Sequence, residues 1–115
     1  LSDREATILD FMLSPDDARL EPLREQASRA TVTGRWDCCA TIELSVEPAI
    51  PDAPEAPAHL VVEATTHSRG DADTSFELLL FEKGGWLHTL ELVHYGERPP
   101  KEFPPVERFE SPIVR

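Results

Sequence analysis

The stretch SFELLLFEKGGWLHTLELVHY, residues 75–95, leaves a folding chain little choice. Two apolar runs flank the pair Gly84-Gly85. Consecutive glycines reach positive φ with no Cβ in the way, and a two-residue primed turn needs that backbone. The runs are strand-sized and rich in Leu, Val and aromatic side chains, so the segment predicts a β-hairpin. A lone hairpin is marginal in water, so more strands must lie beside it.

Upstream segments supply them. CATIELSVE, residues 39–47, alternates with period two. Ala40, Ile42, Leu44 and Val46 share one face, and Thr41, Glu43, Ser45 and Glu47 the other. TVTGRW, residues 31–36, places Val32, Gly34 and Trp36 on one side. HLVVEATTH, residues 59–67, reads as a third strand. Between them Pro48, Pro51, Pro54 and Pro57 forbid a central strand or a helix, which leaves a loop. SRGDADT, residues 68–74, reads as a turn.

The first thirty residues have a different period. Ser2-Asp3-Arg4-Glu5 fits a capping box, and Ile8, Leu9 and Met12 continue it as an apolar stripe over residues 3–13. Pro22 suits the first turn of a second helix, with Leu20, Leu23 and Ala27 facing inward. The expected fold is a single α+β domain over 1–115. Two N-terminal helices (about 3–28) pack on a roughly five-stranded antiparallel sheet (about 30–95), followed by an extended Pro-rich tail (96–115). A meander is the simplest strand order, although the Pro-rich link leaves room for another.

Charge narrows the partners. Eleven Lys and Arg face 22 Asp and Glu, a formal net of −11. Binding nucleic-acid phosphates or an anionic membrane needs the opposite sign. A macromolecular partner would be a basic protein. No apolar run approaches a membrane span. Leu1-Ser2-Asp3 does not read as the opening of a signal peptide, and two adjacent cysteines do not make a secreted disulfide framework, so a cytoplasmic protein is expected.

Candidate chemistry is sparse. Strand alternation puts Cys38 on the core face with Ala40 and Ile42, and Cys39 on the opposite face. Side chains pointing apart make poor joint ligands, structural zinc wants four ligands, and no second cysteine pair exists. A disulfide between neighbours would need a strained backbone. A reactive thiol needs a cation or base beside it, and Arg35 is offset by Asp37. A structural role is therefore preferred for both cysteines. His88 and His94 share strand parity with Trp86, Leu90 and Leu92, but stand about 20 Å apart at strand rise. His59 and His67 bracket the third strand in the same way. No Gly-rich phosphate loop, GxSxG elbow or HExxH appears. No catalytic residue, metal ligand or cofactor is assigned.

The surface offers more. Glu43, Glu47, Glu63, Glu77 and Glu91 all fall opposite apolar rows, and would gather on one sheet face. Leu79, Phe81, Leu87, Val93 and Tyr95 form an apolar row on the side opposite Leu78, Leu80, Leu90 and Leu92. The last hairpin is thus apolar on both faces, and the outer one must be covered by the tail, through Phe103, Phe109 and Ile113, by a second subunit or by a partner.

Two resemblances follow from longer stretches. LSDREATILDFML is similar to the opening of the helix-turn-helix of bacterial response regulators. A basic recognition helix should come next, but Pro15, Asp16, Asp17, Glu21 and Pro22 stand there instead, so the likeness stops at one helix. VTGRWDCCATIEL (32–44) and LLLFEKGGWLHTLELVHY (78–95) resemble a group of small uncharacterised bacterial proteins. That group has a GRCxCGC-like stretch, an LLLxxxxGxLxxLE hairpin and a Pro-rich end. Here Trp36 replaces the first cysteine and the glycine between the later two is missing. The resemblance supports the fold and implies no activity.

The preferred function is a non-enzymatic, acidic interaction module acting through Glu43, Glu47, Glu63, Glu77, Glu91, Leu79, Phe81, Val93 and Tyr95. Immunity-type proteins that mask a basic site are one class of such module. The alternatives are a small enzyme or ligand binder with a pocket between helices and sheet near Cys38, Trp36, His88 and His94, and a structural homodimer paired through the last hairpin.

Overall fold

A computed structural model describes residues 1–46, 57–67, 75–96 and 99–115. Helix α1 spans Asp3–Met12. Ser2 Oγ accepts the Glu5 N–H at 3.1 Å, and Glu5 Oε1 accepts the Ser2 N–H at 2.8 Å, so the capping box satisfies two orphan donors. Ile8, Leu9 and Met12 are buried along its inner stripe. A 3₁₀ turn, Ala18–Leu20, is capped by Asp17, and α2 follows over Glu21–Ala27 with Pro22 in its first turn. Arg24 Nε donates to Leu13 O at 2.7 Å, which occupies a carbonyl that the end of α1 leaves unpaired.

The strands are β1 (Ala30–Arg35), β2 (Ile42–Val46), β3 (Ala58–Thr65), β4 (Phe76–Lys83), β5 (Trp86–His94) and β6 (Ile113–Val114). All neighbours are antiparallel, in the order β1-β2-β5-β4-β3-β6. The fold is α+β with an open sheet, and the described residues form six strands where the sequence suggested five. The sixth comes from the tail: Ile113 and Val114 pair with Glu63 and Val62. A simple meander is also corrected. β2 pairs with β5, and β3 joins on the far side of β4. The Pro-rich link that permits this, like the turn at 68–74 and Glu47, lies mostly or wholly outside the described residues. Gly84 and Gly85 have φ of 61° and 88°, both positive, as the hairpin reading requires.

Three register shifts decide which way side chains point. They occur between Val32 and Gly34, between Leu60 and Val62, and on β5 at His88, where Phe81 faces Thr89 but Glu82 faces Leu87. One extra residue reverses the alternation beyond it. Val32 and Gly34 therefore do not share a face: Val32 lies opposite Leu44, and Gly34 opposite Glu43. Leu87, expected on the outer row, is buried in the core. Arg35 lies opposite Ile42, on the helix side.

That side holds the core. Ile8, Leu9, Met12, Leu13, Leu20 and Leu23 from the helices meet Ile42, Leu44, Val46, Val62, Leu78, Leu80, Leu90 and Leu92 from the sheet. Phe103 and Phe109 of the tail join the same cluster. Their rings therefore do not cover the outer row, and Ile113, at 54% exposure, covers little of it either.

The β1 bulge has an energetic consequence, because it turns Arg35 toward the helices. Arg35 reaches Glu5 at 2.5 and 3.2 Å, a two-pronged pair on a carboxylate whose side chain is only 8% exposed. The Arg35 hydrogen bond, opposed by burial, holds the Glu5 carboxyl below its ordinary value of 4.5. A carboxyl held low when folded stabilises above that ordinary value and loses its contribution as pH falls through the folded value. Glu5→Gln keeps an acceptor for the cap but loses the charge. We expect it to cost about 1 kcal/mol at neutral pH, held to that size because Arg35 is open to water. The difference from wild type should shrink as pH falls below 4.5. Urea midpoints at neutral pH and in mild acid check both the size and the direction.

Candidate functional site

The outer sheet face is assembled from four strands by their register. Glu43 on β2 lies opposite Thr89 on β5, and Thr89 opposite Phe81 on β4. Glu91 faces Leu79, Leu79 faces Glu63 on β3, and Val93 faces Glu77. Cross-strand partners share a face. Glu43, Glu63, Glu77 and Glu91 therefore surround Leu79, Phe81 and Val93 on the side away from the helices. These three apolar residues are half-buried, and they stand outside the core cluster. Tyr95, just past β5, is 54% exposed.

Local contacts position the carboxylates. Glu63 pairs with Arg115 at the β6 edge. Glu77 accepts the Tyr95 hydroxyl proton, and this hydrogen bond raises the phenol pKa above its ordinary value. The Glu43 side chain lies over Gly34, where an added Cβ would come within 2.4 Å of Glu43 Oε2. Gly34 thus gives the acid side chain room to lie flat across β1. Parity along each strand places these acids, but it carries no sign that Phe103 and Phe109 of the tail pack on the helix side instead.

The β1–β2 connection corrects the reading of the cysteines. Residues 37–40 form a turn, closed by the Trp36 N–H donating to Thr41 O at 3.1 Å. Strand alternation does not extend through it. Cys39 is the buried sulfur and Cys38 the exposed one, the reverse of the expectation. The side chains converge, with Sγ atoms 2.7 Å apart as free thiols. Thr41, expected outside, is fully buried and accepts the Leu92 N–H at 3.0 Å. Asp37 after Trp36 was the available signal for a turn here.

The two histidines suggested for a pocket are each held by a neighbour in the chain. His88 Nδ1 lies 2.7 Å from Thr89 Oγ1, and His94 Nδ1 donates to Gly96 O at 2.9 Å. Trp36 is 43% exposed. A cleft of about 220 Å³ instead opens at the start of α1, lined by Arg4, Glu5, Arg35, Lys101 and Phe103 among others. Its cations already have work. Arg35 holds Glu5, Arg4 donates to Phe103 O at 2.7 Å, and Lys101 donates to Asp37 O at 3.0 Å. Its volume is below the roughly 300 Å³ at which small-molecule sites begin. Among the described residues no group of three His, Cys, Asp or Glu side chains could hold a metal. No helix among them is long and apolar enough to cross a membrane.

Set against known proteins, the chain matches no family model, no curated protein and no solved structure.

Proposed function

We propose that the protein is a non-enzymatic interaction module whose outer sheet face docks a basic protein with an apolar centre. One observation carries this reading: Leu79, Phe81 and Val93 sit on the face opposite the helices, ringed by Glu43, Glu63, Glu77 and Glu91. Apolar side chains at the middle supply burial energy, and the acidic rim selects and steers a cationic partner. The formal charge of −11 adds long-range attraction of the same sign. An immunity-type role, masking the basic site of another protein, is the subclass that charge and size fit best. A cytoplasmic location goes with this reading, supported by two thiols that are free rather than bridged.

The experiment is a pull-down from native lysate over a salt series, with wild type beside Glu77→Lys/Glu91→Lys and Phe81→Ser. A basic protein retained by wild type, released by salt and lost from both variants is the expected result. Retention that survives salt and both variants places the contact elsewhere and overturns the reading. A second reading, a homodimer through the same hairpin, rests on the same outer row, which the described residues leave half-exposed. Sedimentation distinguishes it: a dimer that Phe81→Ser dissociates would replace the basic partner with a second copy of this chain.

A further inference from the structure

We propose that Cys38 and Cys39 form a reversible two-electron thiol pair that exchanges with small disulfides such as glutathione disulfide. The two Sγ atoms already face each other at 2.7 Å across the β1–β2 turn. One is open to solvent and the other is buried, so an incoming disulfide can reach Cys38 while Cys39 waits behind it. Thr41 Oγ1 lies 3.4 Å from Cys39 Sγ, and through its contact with Leu92 N–H it is fixed to β5. The resolving sulfur is therefore held by the rigid sheet, and the entry sulfur by the turn.

Access, rather than acidity, sets the order of attack: Cys38 is exposed and Cys39 is buried. Burial and Glu91 act to raise the Cys39 thiol, but the Cys38 S–H and Thr41 outweigh them and leave it below its ordinary value. Cys38 is raised because its proton is shared with Cys39, while the Lys101 ammonium works the other way. Lys101 also ties the turn through Asp37 O and offers a positive charge to an anionic disulfide. The proton therefore rests on Cys38, and the exposed sulfur attacks once that proton has passed to Cys39 or to solvent.

The bonds balance as follows. Cys38 thiolate attacks one sulfur of the external disulfide, forms a mixed disulfide and expels one thiolate. Cys39 gives up its proton to that leaving group or to solvent, attacks Cys38 Sγ and expels the second thiolate. The net change is protein dithiol plus one disulfide giving protein disulfide plus two thiols. Two electrons leave the protein and reduce the external disulfide. Adjacent Cα atoms are about 3.8 Å apart across a trans peptide, closer than the roughly 4.4–6.8 Å of ordinary disulfides. The closed ring is strained, so small thiols reopen it, which makes the couple reversible.

The test is intact-mass analysis after incubation in glutathione buffers of graded ratio, followed by return to reduced glutathione. Wild type should lose two hydrogens and both titratable thiols without retaining an adduct, and should recover both on return. Cys39→Ser should stop at a stable glutathione adduct, because the resolving sulfur is gone. Cys38→Ser should form that adduct far more slowly, because Cys39 is buried. Wild type that stays a dithiol, keeps glutathione, or links two chains overturns the proposal. Equal labelling rates in the two variants overturn the assignment of Cys38 as the point of entry.

Discussion

Leu90→Ala is expected to cost about 2–5 kcal/mol, the largest loss among single truncations considered for this protein. Leu90 is fully buried at the middle of β5. It lies opposite Ile42 on β2 and Leu80 on β4, and both of these are also fully buried. β5 is flanked by strands on both sides, and α2 packs against it. Nothing nearby can collapse into the space without moving a strand, so most of the cavity penalty remains. Native domains hold only about 5–15 kcal/mol in total, so the variant should lose a large share of its stability. Urea unfolding should show a lower midpoint with an unchanged slope. Leu79→Ala on the same hairpin is the control. Its side chain faces away from the helices, and it should cost less than about 1 kcal/mol, since surface changes are usually small. Equal losses at the two positions would mean that the outer face is covered after all, and the docking surface would go with it.

Gln26→Leu should cost about 2–3 kcal/mol by a different mechanism, the stranding of buried polar groups. Gln26 is a side chain from α2, only 6% exposed, set against the last hairpin. Its Oε1 accepts the buried Leu87 N–H at 2.9 Å, and its Nε2 donates to Gly85 O at 2.8 Å. The shift at His88 interrupts the regular ladder at this point, and Gln26 supplies the missing partner. Leucine fills similar volume but leaves the buried Leu87 N–H unpaired. Faster amide exchange at Leu87, beyond the change expected from global stability, is the local signature. Gln26→Glu retains an acceptor for Leu87 and should restore part of the protection. Unchanged exchange at Leu87 in Gln26→Leu would show that the clamp is not what holds the turn to the helix.

Local chemistry made several features legible. Gly84-Gly85 between two apolar runs specifies a hairpin because glycine reaches both positive φ values with no Cβ to clash. Ser2 and Glu5 specify the start of α1 because a capping box closes within four residues. The pattern from Ile42 to Val46 specifies a half-buried strand because side chains alternate with period two. The acidic residues of the outer face followed from the same parity, and Glu43, Glu63, Glu77 and Glu91 do share it.

What parity cannot carry is a change of its own phase. A bulge inserts one residue with no strong local mark; the one on β5 moved Leu87 into the core, and the one on β1 moved Arg35 to the helix side. Tail residues Ile113 and Val114 became a strand only because β3 presented an open edge. Phe103 and Phe109 filled the helix side because the space was there, and the outer face was left without them. Cys38 and Cys39 face each other because the closure of β1 on β2 forces a turn through them, which alternation along one strand could not reveal. By itself, then, the sequence determined the helix start, the last hairpin, the strand parity and the excess of negative charge, since each is written within a few neighbouring residues or in the composition. The tertiary structure alone decided which strands are neighbours, on which face the tail's Phe103 and Phe109 pack and which sulfur is exposed, because those depend on contacts between residues far apart in the chain.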